Sequence, residues 1–291
     1  MQNNIDVGRL IPMITSLDYE FTKSEKKVSK IVINNPEKII YSSITDLADL
    51  AEVGEATIIR FCRKLGFKGF QGFKMALAQE LSMNKQSSTN LSVNAPIEEN
   101  DSLEIIAKKF YTVNDKALKE TLSLLDYTSL EKAAELVSKA ERVYFFGVGF
   151  SGTTAMESKY KFMRIAINCD AYTDNHFMAM AASLLNPNDV VIGISHSGSS
   201  LETVKGLEIA RSVGAKTICI THHAKSPITK HADITLLNGS KEGPLQVGGV
   251  GTKIAQLFVI DLIYTQVVRI NKDKAISNTK KTREAIEKKL Y

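Results

Sequence analysis

Apolar positions recur at helical spacing through the first part of the chain, thin out between residues 82 and 102, and from 142 onward gather in short runs separated by helical stretches. Residues 22–34 (TKSEKKVSKIVIN) place Val28, Ile31 and Val32 on one helical face, with Thr22 or Ser24 available as caps and Pro36 as a stop. A second helix carries Ile44, Leu47, Ala48 and Ala51 inward, and Val53-Gly54 breaks its period. A third starts near Glu55 and turns Ile58, Phe61 and Leu65 inward. So short a break forces the two helices to pack at a steep angle, the arrangement of a helix-turn-helix.

The polar stretch SMNKQSSTNLSVNAPIEENDS reads as an interdomain linker. Beyond it come two helices (LEIIAKKFYTVNDKALKETLSLL and SLEKAAELVSKA), then apolar runs at 142–146, 189–194, 215–220 and 233–237, each followed by a helical pattern. Such alternation predicts a parallel sheet covered by helices on both faces. The expected organisation is an all-α helix-turn-helix domain at 5–82, a linker at 83–102 and an α/β domain at 103–291 with its core at about 130–270.

The outward face of the third helix holds Thr57, Arg60, Arg63 and Lys64. Arginine bridges guanine O6 and N7 bidentately, and lysine and threonine suit phosphate, so these are side chains that a reader of the major groove needs. Residues 57–85 contain six Lys or Arg and one acid. The plain alternative is a solvated amphipathic hairpin. Against it stands GFKGFQGFK, whose aromatics suit packing on the third helix while Lys68 and Lys74 reach phosphates. The segment ITDLA…VGEATIIRFCRKLGFKGFQGFK resembles the amino-terminal domain of the RpiR family of bacterial transcriptional regulators. The resemblance implies contacts to double-stranded DNA from Thr45, Glu55, Thr57, Arg60, Arg63, Lys64, Lys68 and Lys74. That family usually has serine where this chain has Gly54, so a capping hydroxyl and one phosphate contact are missing.

In open parallel sheets ligands bind beyond the carboxyl ends of the strands, and two loops there are shaped for phosphate. Gly147-Val148-Gly149-Phe150-Ser151-Gly152 leaves one strand and opens a helix. As a GxGxxG followed by Asp170, it also fits a dinucleotide-responsive repressor. The second loop, Ser195-His196-Ser197-Gly198-Ser199-Ser200, sets four hydroxyls around one glycine before a helix, a nest of uncharged donors for a phosphate monoester. A Ser-rich cap and turn is the plain alternative. Together the loops resemble the SIS domain, the sugar isomerase fold found in aminosugar-phosphate enzymes and in RpiR regulators. By that resemblance Ser195, Ser197 and Ser200 hold the phosphate, with His196 and Ser199 lining the loop and Gly149 and Ser151 approaching from the first one. QVGGVGTK, with Gln246, resembles the segment that closes over the sugar, and Asp174 and His176 match a D-x-H that either meets sugar hydroxyls or caps a loop.

Isomerisation needs a positioned base. Glu242 and Glu202 are the carboxylates near the expected site, neither in a catalytic motif, so binding without turnover is expected, with an isomerase carrying an accessory DNA domain as the alternative. A net charge of +5 over 291 residues fits one basic face. No long apolar run or signal-like start is present, which predicts a cytoplasmic protein without a membrane span. Cys62, Cys169 and Cys219 are too scattered for a zinc ribbon or redox pair, and Cys62 on the third helix either fills core space or answers to oxidants. His222-His223 has no third ligand at metal spacing. The expected partners are an inverted-repeat operator, a small phosphorylated sugar as effector with no other cofactor, and further copies of the chain as a dimer or dimer of dimers.

Overall fold

The computed structural model describes residues 10–84, 97–239, 249–287 and 289. The chain forms two compact units that divide between Lys109 and Phe110.

The first unit is helical: α1 (Leu10–Ser16), α2 (Lys23–Asn34), α3 (Pro36–Ile39), α4 (Ile44–Leu50), α5 (Glu55–Lys64) and α6 (Phe70–Asn84). Capping boxes fix where two of these helices begin. Thr22 and Glu25 exchange hydrogen bonds across the start of α2, as Ser43 and Asp46 do across the start of α4. The Glu80 carboxylate accepts from the Leu10 and Ile11 amides, so α6 caps α1. At the centre Phe61 packs at 5.1 Å from Phe21 and 5.8 Å from Phe73, joining α5 to both the α1–α2 connection and α6. The expected inward residues Ile58, Phe61 and Leu65 are all buried in this core.

Helix α7 (Leu103–Leu124) runs across the division between the units. The second unit continues through α8 (Tyr127–Lys139), β1 (Val143–Phe146), α9 (Gly149–Met163), β2 (Cys169–Tyr172), α10 (Asn175–Ser183), β3 (Val190–Ile194), α11 (Leu201–Ser212), β4 (Lys216–Thr221), β5 (Ile234–Leu237), α12 (Val250–Ile270) and α13 (Lys272–Glu287). All strand pairs are parallel, in the order β2-β1-β3-β4-β5. The four expected apolar runs are strands. The edge strand β2 (CDAY), only half-buried, is an addition that the hydropathy pattern does not mark.

Strand alternation sorts the core into two layers. Val143, Phe145, Ile192, Ile218 and Ile220 face a layer shared with α8, α9 and α12, while Phe146, Val191 and Cys219 face one shared with α10 and α11. At the amino ends of β1 and β3, Arg142 donates to both carboxylate oxygens of the buried Asp189 at 3.0 and 2.6 Å, and the Asn186 amide adds a third bond. A buried carboxylate is tolerated only when paired in this way, and this pair clamps the central strands at the end away from the loops of interest.

Gly54 is the N-cap of α5, with φ −77° and ψ 151° and no side-chain cap. A Cβ built there meets open space. Gly54→Ser should therefore fit without strain and raise the stability of the helical unit by about 0.3 kcal/mol, read as a shift in its denaturant midpoint.

Candidate functional site

On the helical unit, the α4–α5 turn sorts the expected DNA-contacting residues into two groups. Arg60, Arg63 and Lys68 are exposed. Lys64 is exposed too, and it and the remaining four are bonded within the protein. Thr45 donates to the Glu55 carboxylate at 2.7 Å, tying the start of α4 to the start of α5, and both side chains are half-buried.

Two expectations are corrected, those for Thr57 and Lys74, and the exposed Lys64 proves to be bonded within the protein as well. Thr57 is buried rather than outward, and its hydroxyl accepts from the Arg60 guanidinium at 3.0 Å. Lys64 donates to Glu25 at 2.8 Å and to the Glu20 carbonyl at 2.9 Å, closing the carboxyl end of α5 onto α2. Burial works to raise the Glu25 carboxyl, but the bonds from Lys64 and Thr22 outweigh it and hold the group below its ordinary range. Lys74, expected to reach a phosphate, is buried, donates to the Ser42 carbonyl at 3.0 Å and lies over the Phe70 ring. Its burial pushes the amine down to about 8, with Asp46 opposing the shift. The one-sided spacing of basic residues did not reveal these internal acceptors. Cys62 is buried too, and desolvation pushes its thiol up to about 12, so no reactive thiolate is on offer at neutral pH.

In the second unit the strand order reverses between β1 and β3, and the two phosphate-shaped loops leave those neighbouring strands at their carboxyl ends. That is the switch-point crevice of an open parallel sheet. In the second loop Ser195 is buried and its hydroxyl donates to that of Ser200, the N-cap of α11, at 3.1 Å. Ser197 Oγ accepts from the Ser199 amide at 3.2 Å. Gly198 closes the loop at φ +63°, where an added Cβ would lie 2.1 Å from Ser226 Oγ. The His196 carbonyl accepts from the His222 amide and the Thr221 hydroxyl, and its ring stacks on His222 at 5.2 Å. Asn238 stands beside this pair, with its side-chain nitrogen 3.4 Å from His196 Nδ1.

In the first loop Gly149 takes φ +57° at the start of α9, and Ser151 accepts from Gln256 of α12 at 3.1 Å. Gln256 also accepts from Thr154 at 3.0 Å, so this buried amide fixes the Ser151 hydroxyl from behind. The sequence signal for Gln256 was a lone amide inside an apolar helix, and for Asn238 a polar residue just past a strand. Neither was singled out. Asp174 is the N-cap of α10, its carboxylate accepting from the His176 and Phe177 amides, and the His176 side chain is exposed beside it. Asp170 lies second in β2 and pairs with Lys159 of α9 at 2.7 Å, so the acid of the dinucleotide reading already has a cationic partner. Glu202 occupies the first turn of α11. Glu242 and Gln246 fall outside the described residues.

Residues 8–84 match the helix-turn-helix domain of the rpiR family, and residues 136–266 match the SIS domain. An uncharacterized HTH-type transcriptional regulator of Haemophilus influenzae is 43% identical over 279 residues, with 96% of each chain covered. The chain belongs to the RpiR family of transcriptional regulators. A second such regulator, from Clostridium perfringens, is 36% identical over 277 residues, covering 95% of this chain and 98% of its own. Among solved structures, Vibrio vulnificus NanR complexed with ManNAc-6P matches with a TM-score of 0.84 at 26% identity, covering 97% of this chain and 99% of NanR. The sugar isomerase domain of an RpiR transcription factor from Sphaerobacter thermophilus shares the fold, at a TM-score of 0.56 and 21% identity over 62% of this chain and 98% of its own. The α/β unit of this RpiR regulator is therefore a SIS domain, and its helical unit is the DNA-binding module of the family. Among the described residues no single helix is long and apolar enough to cross a membrane.

Two outcomes follow from the geometry. Gly198→Ala should disorganise the serine loop while leaving α1–α6 folded, seen as altered amide exchange confined to the SIS domain. Because the folded-state pKa of Lys74 lies below its unfolded value of about 10.4, the unfolded chain binds more protons above pH 8. Stability of the helical unit should rise from about pH 8 to pH 10 in the wild type and rise less in Lys74→Met, measured by denaturant unfolding across that range.

Proposed function

We propose that this transcriptional regulator binds an inverted-repeat operator as a homodimer in the cytoplasm, and that a phosphorylated sugar held in the SIS domain controls that binding without being turned over. The observation that carries this reading is the serine nest Ser195–Ser200 facing the Gly149–Ser151 loop across the β1/β3 switch point, in a chain that also has a helix-turn-helix. Uncharged hydroxyls and backbone amides at two helix N-termini suit a phosphate dianion, because the donors are fixed in place and the helix dipoles favour negative charge. NanR, similar over nearly its whole length, was solved with ManNAc-6P, which supports a sugar phosphate as the ligand class.

Binding without turnover rests on the carboxylates. Glu202 sits where an acid favours the dipole of α11, and the relatives named above are transcriptional regulators. On the DNA side, the exposed Arg60 and Arg63 are the base-reading candidates and the exposed Lys64 and Lys68 the phosphate contacts, whereas Lys74 is buried on an internal acceptor. A coupling free energy of about 1 to 3 kcal/mol between the two sites would change operator affinity roughly 5- to 150-fold.

The test is a thermal-shift panel of aminosugar, hexose and pentose phosphates with NAD and NADH included. Ligand at 100 times its dissociation constant adds about 2.7 kcal/mol to stability. One sugar phosphate should shift the wild type and not Ser197→Ala, with operator binding by Ser197→Ala unchanged in the absence of ligand. A shift by NADH alone would overturn the proposal. In operator titrations Arg60→Ala and Arg63→Ala should each cost about 1–3 kcal/mol, whereas Lys68→Ala should lower the salt slope by about one.

A further inference from the structure

Along α7, α8 and α13, exposed lysines face acids one turn away: Lys108 with Glu104, Lys119 with Asp115, Lys139 with Glu135 and Lys280 with Glu284 are all i,i+4 pairs. That is the arrangement that stabilises a solvated helix face. Helix α2 does the reverse. Its exposed lysines, Lys23, Lys26, Lys27 and Lys30, stand at i, i+3, i+4 and i+7, so each lies one turn from another lysine. The one acid of this helix, Glu25, is buried on the opposite face, where Lys64 holds it at 2.8 Å. Like charges at this spacing cost a solvated helix stability. The same spacing recurs in α5, where Arg60 is followed by Arg63 and Lys64 at i+3 and i+4.

The position of the stripe selects the anion. Phe21, just ahead of α2, packs on Phe61 of α5 at 5.1 Å, and Glu25 in the first turn of α2 holds the carboxyl end of α5. Lys27 reaches Glu52, in the turn between α4 and α5, at 2.9 Å. The stripe therefore starts beside the recognition helix and touches the turn that leads into it. When a recognition helix lies in the major groove, elements packed at its side meet the phosphate walls of that groove. A shallow groove on the same stretch of α2 is lined by Lys26, Ser29, Lys30, Ile33 and Asn34, adding hydroxyl and amide groups of the kinds that bond phosphate oxygens. From Lys23 to Lys30 the helix rises about 10 Å, the axial length of about three nucleotides of one DNA strand. We propose that the exposed lysine face of α2 is a second DNA-contacting surface, which neutralises phosphates of one strand beside the groove that α5 enters. It rests on the DNA binding of the preceding section and adds to it a surface that supplies affinity without reading sequence. A duplex is the partner that α5 brings to this unit, whereas an acidic protein would have to be recruited separately.

The test needs no operator, because phosphate contacts carry no sequence information. Binding of the full-length chain to a random-sequence duplex of about 30 base pairs is followed by fluorescence anisotropy between about 50 and 200 mM salt. The wild type is compared with Lys68→Ala, with the α2 variant Lys23→Gln/Lys27→Gln/Lys30→Gln, and with Lys272→Gln/Lys280→Gln/Lys281→Gln on α13, which removes the same charge elsewhere. Circular dichroism melts would establish that each is folded. The wild type and the α13 variant should share one salt slope, and the α2 variant should be shallower by about 2.7, at about 0.9 per phosphate contact. A folded α2 variant that differs from the α13 variant by less than about 0.9 would overturn the surface and leave an acidic protein as its fitting partner. If Lys68→Ala lowers the slope and the α2 variant does not, DNA binding stands and the stripe alone is wrong. Wild-type protein without salt-dependent binding to the duplex would sink both. Should the triple α2 variant fail to fold, Lys30→Gln alone decides, with an expected decrease of about 0.9.

Discussion

The SIS domain depends on one topological constraint: the chain leaves β1 and β3, which are neighbours and parallel, toward opposite faces of the sheet. Helix α9 packs on the layer with α8 and α12, and α11 packs on the layer with α10. A crevice opens where the two connections part, and it is bordered by two helix N-termini whose amides have no intrahelical partner. Every other feature of the site builds on that opening. Gly198 turns the second loop tightly enough for Ser195 and Ser200 to meet, and Gln256 reaches across from α12 to hold Ser151. At the far end of the same strands, the Arg142–Asp189 clamp fixes the β1–β3 pairing on which the crevice relies.

The helical unit is organised by different means. Phe61 on the inner side of α5 meets Phe21 and Phe73, so the helix that reads DNA is seated on an aromatic cluster. Its two ends are tied by polar contacts: Thr45 to Glu55 at the start and Lys64 to Glu25 at the finish. Residues that look like DNA contacts by charge thus set the angle of the recognition helix. Arg60 and Arg63, between those ends, are left facing out. A rigidly seated helix suits recognition, because base contacts depend on side chains that start from a fixed backbone.

The sequence by itself determined the two-domain plan, the helix-turn-helix, four of the five strands and both phosphate-shaped loops. Each of these is written in local terms: hydrophobic period, Gly and Ser at strand ends, and a break between two amphipathic helices. Strand β2 stayed hidden because an edge strand buries too little to need an apolar run. Only the tertiary structure decided which internal partners the polar side chains find. Lys64 and Lys74 are spaced as if for DNA, yet their partners Glu25 and the Ser42 carbonyl are brought to them by packing from 39 and 32 residues away. Gln256 and Asn238 acquire their roles in the same way, from strands and helices distant in sequence. Periodicity fixes which side of a helix faces inward, but the acceptor a lysine finds there depends on a contact between elements, and that contact is set by the fold.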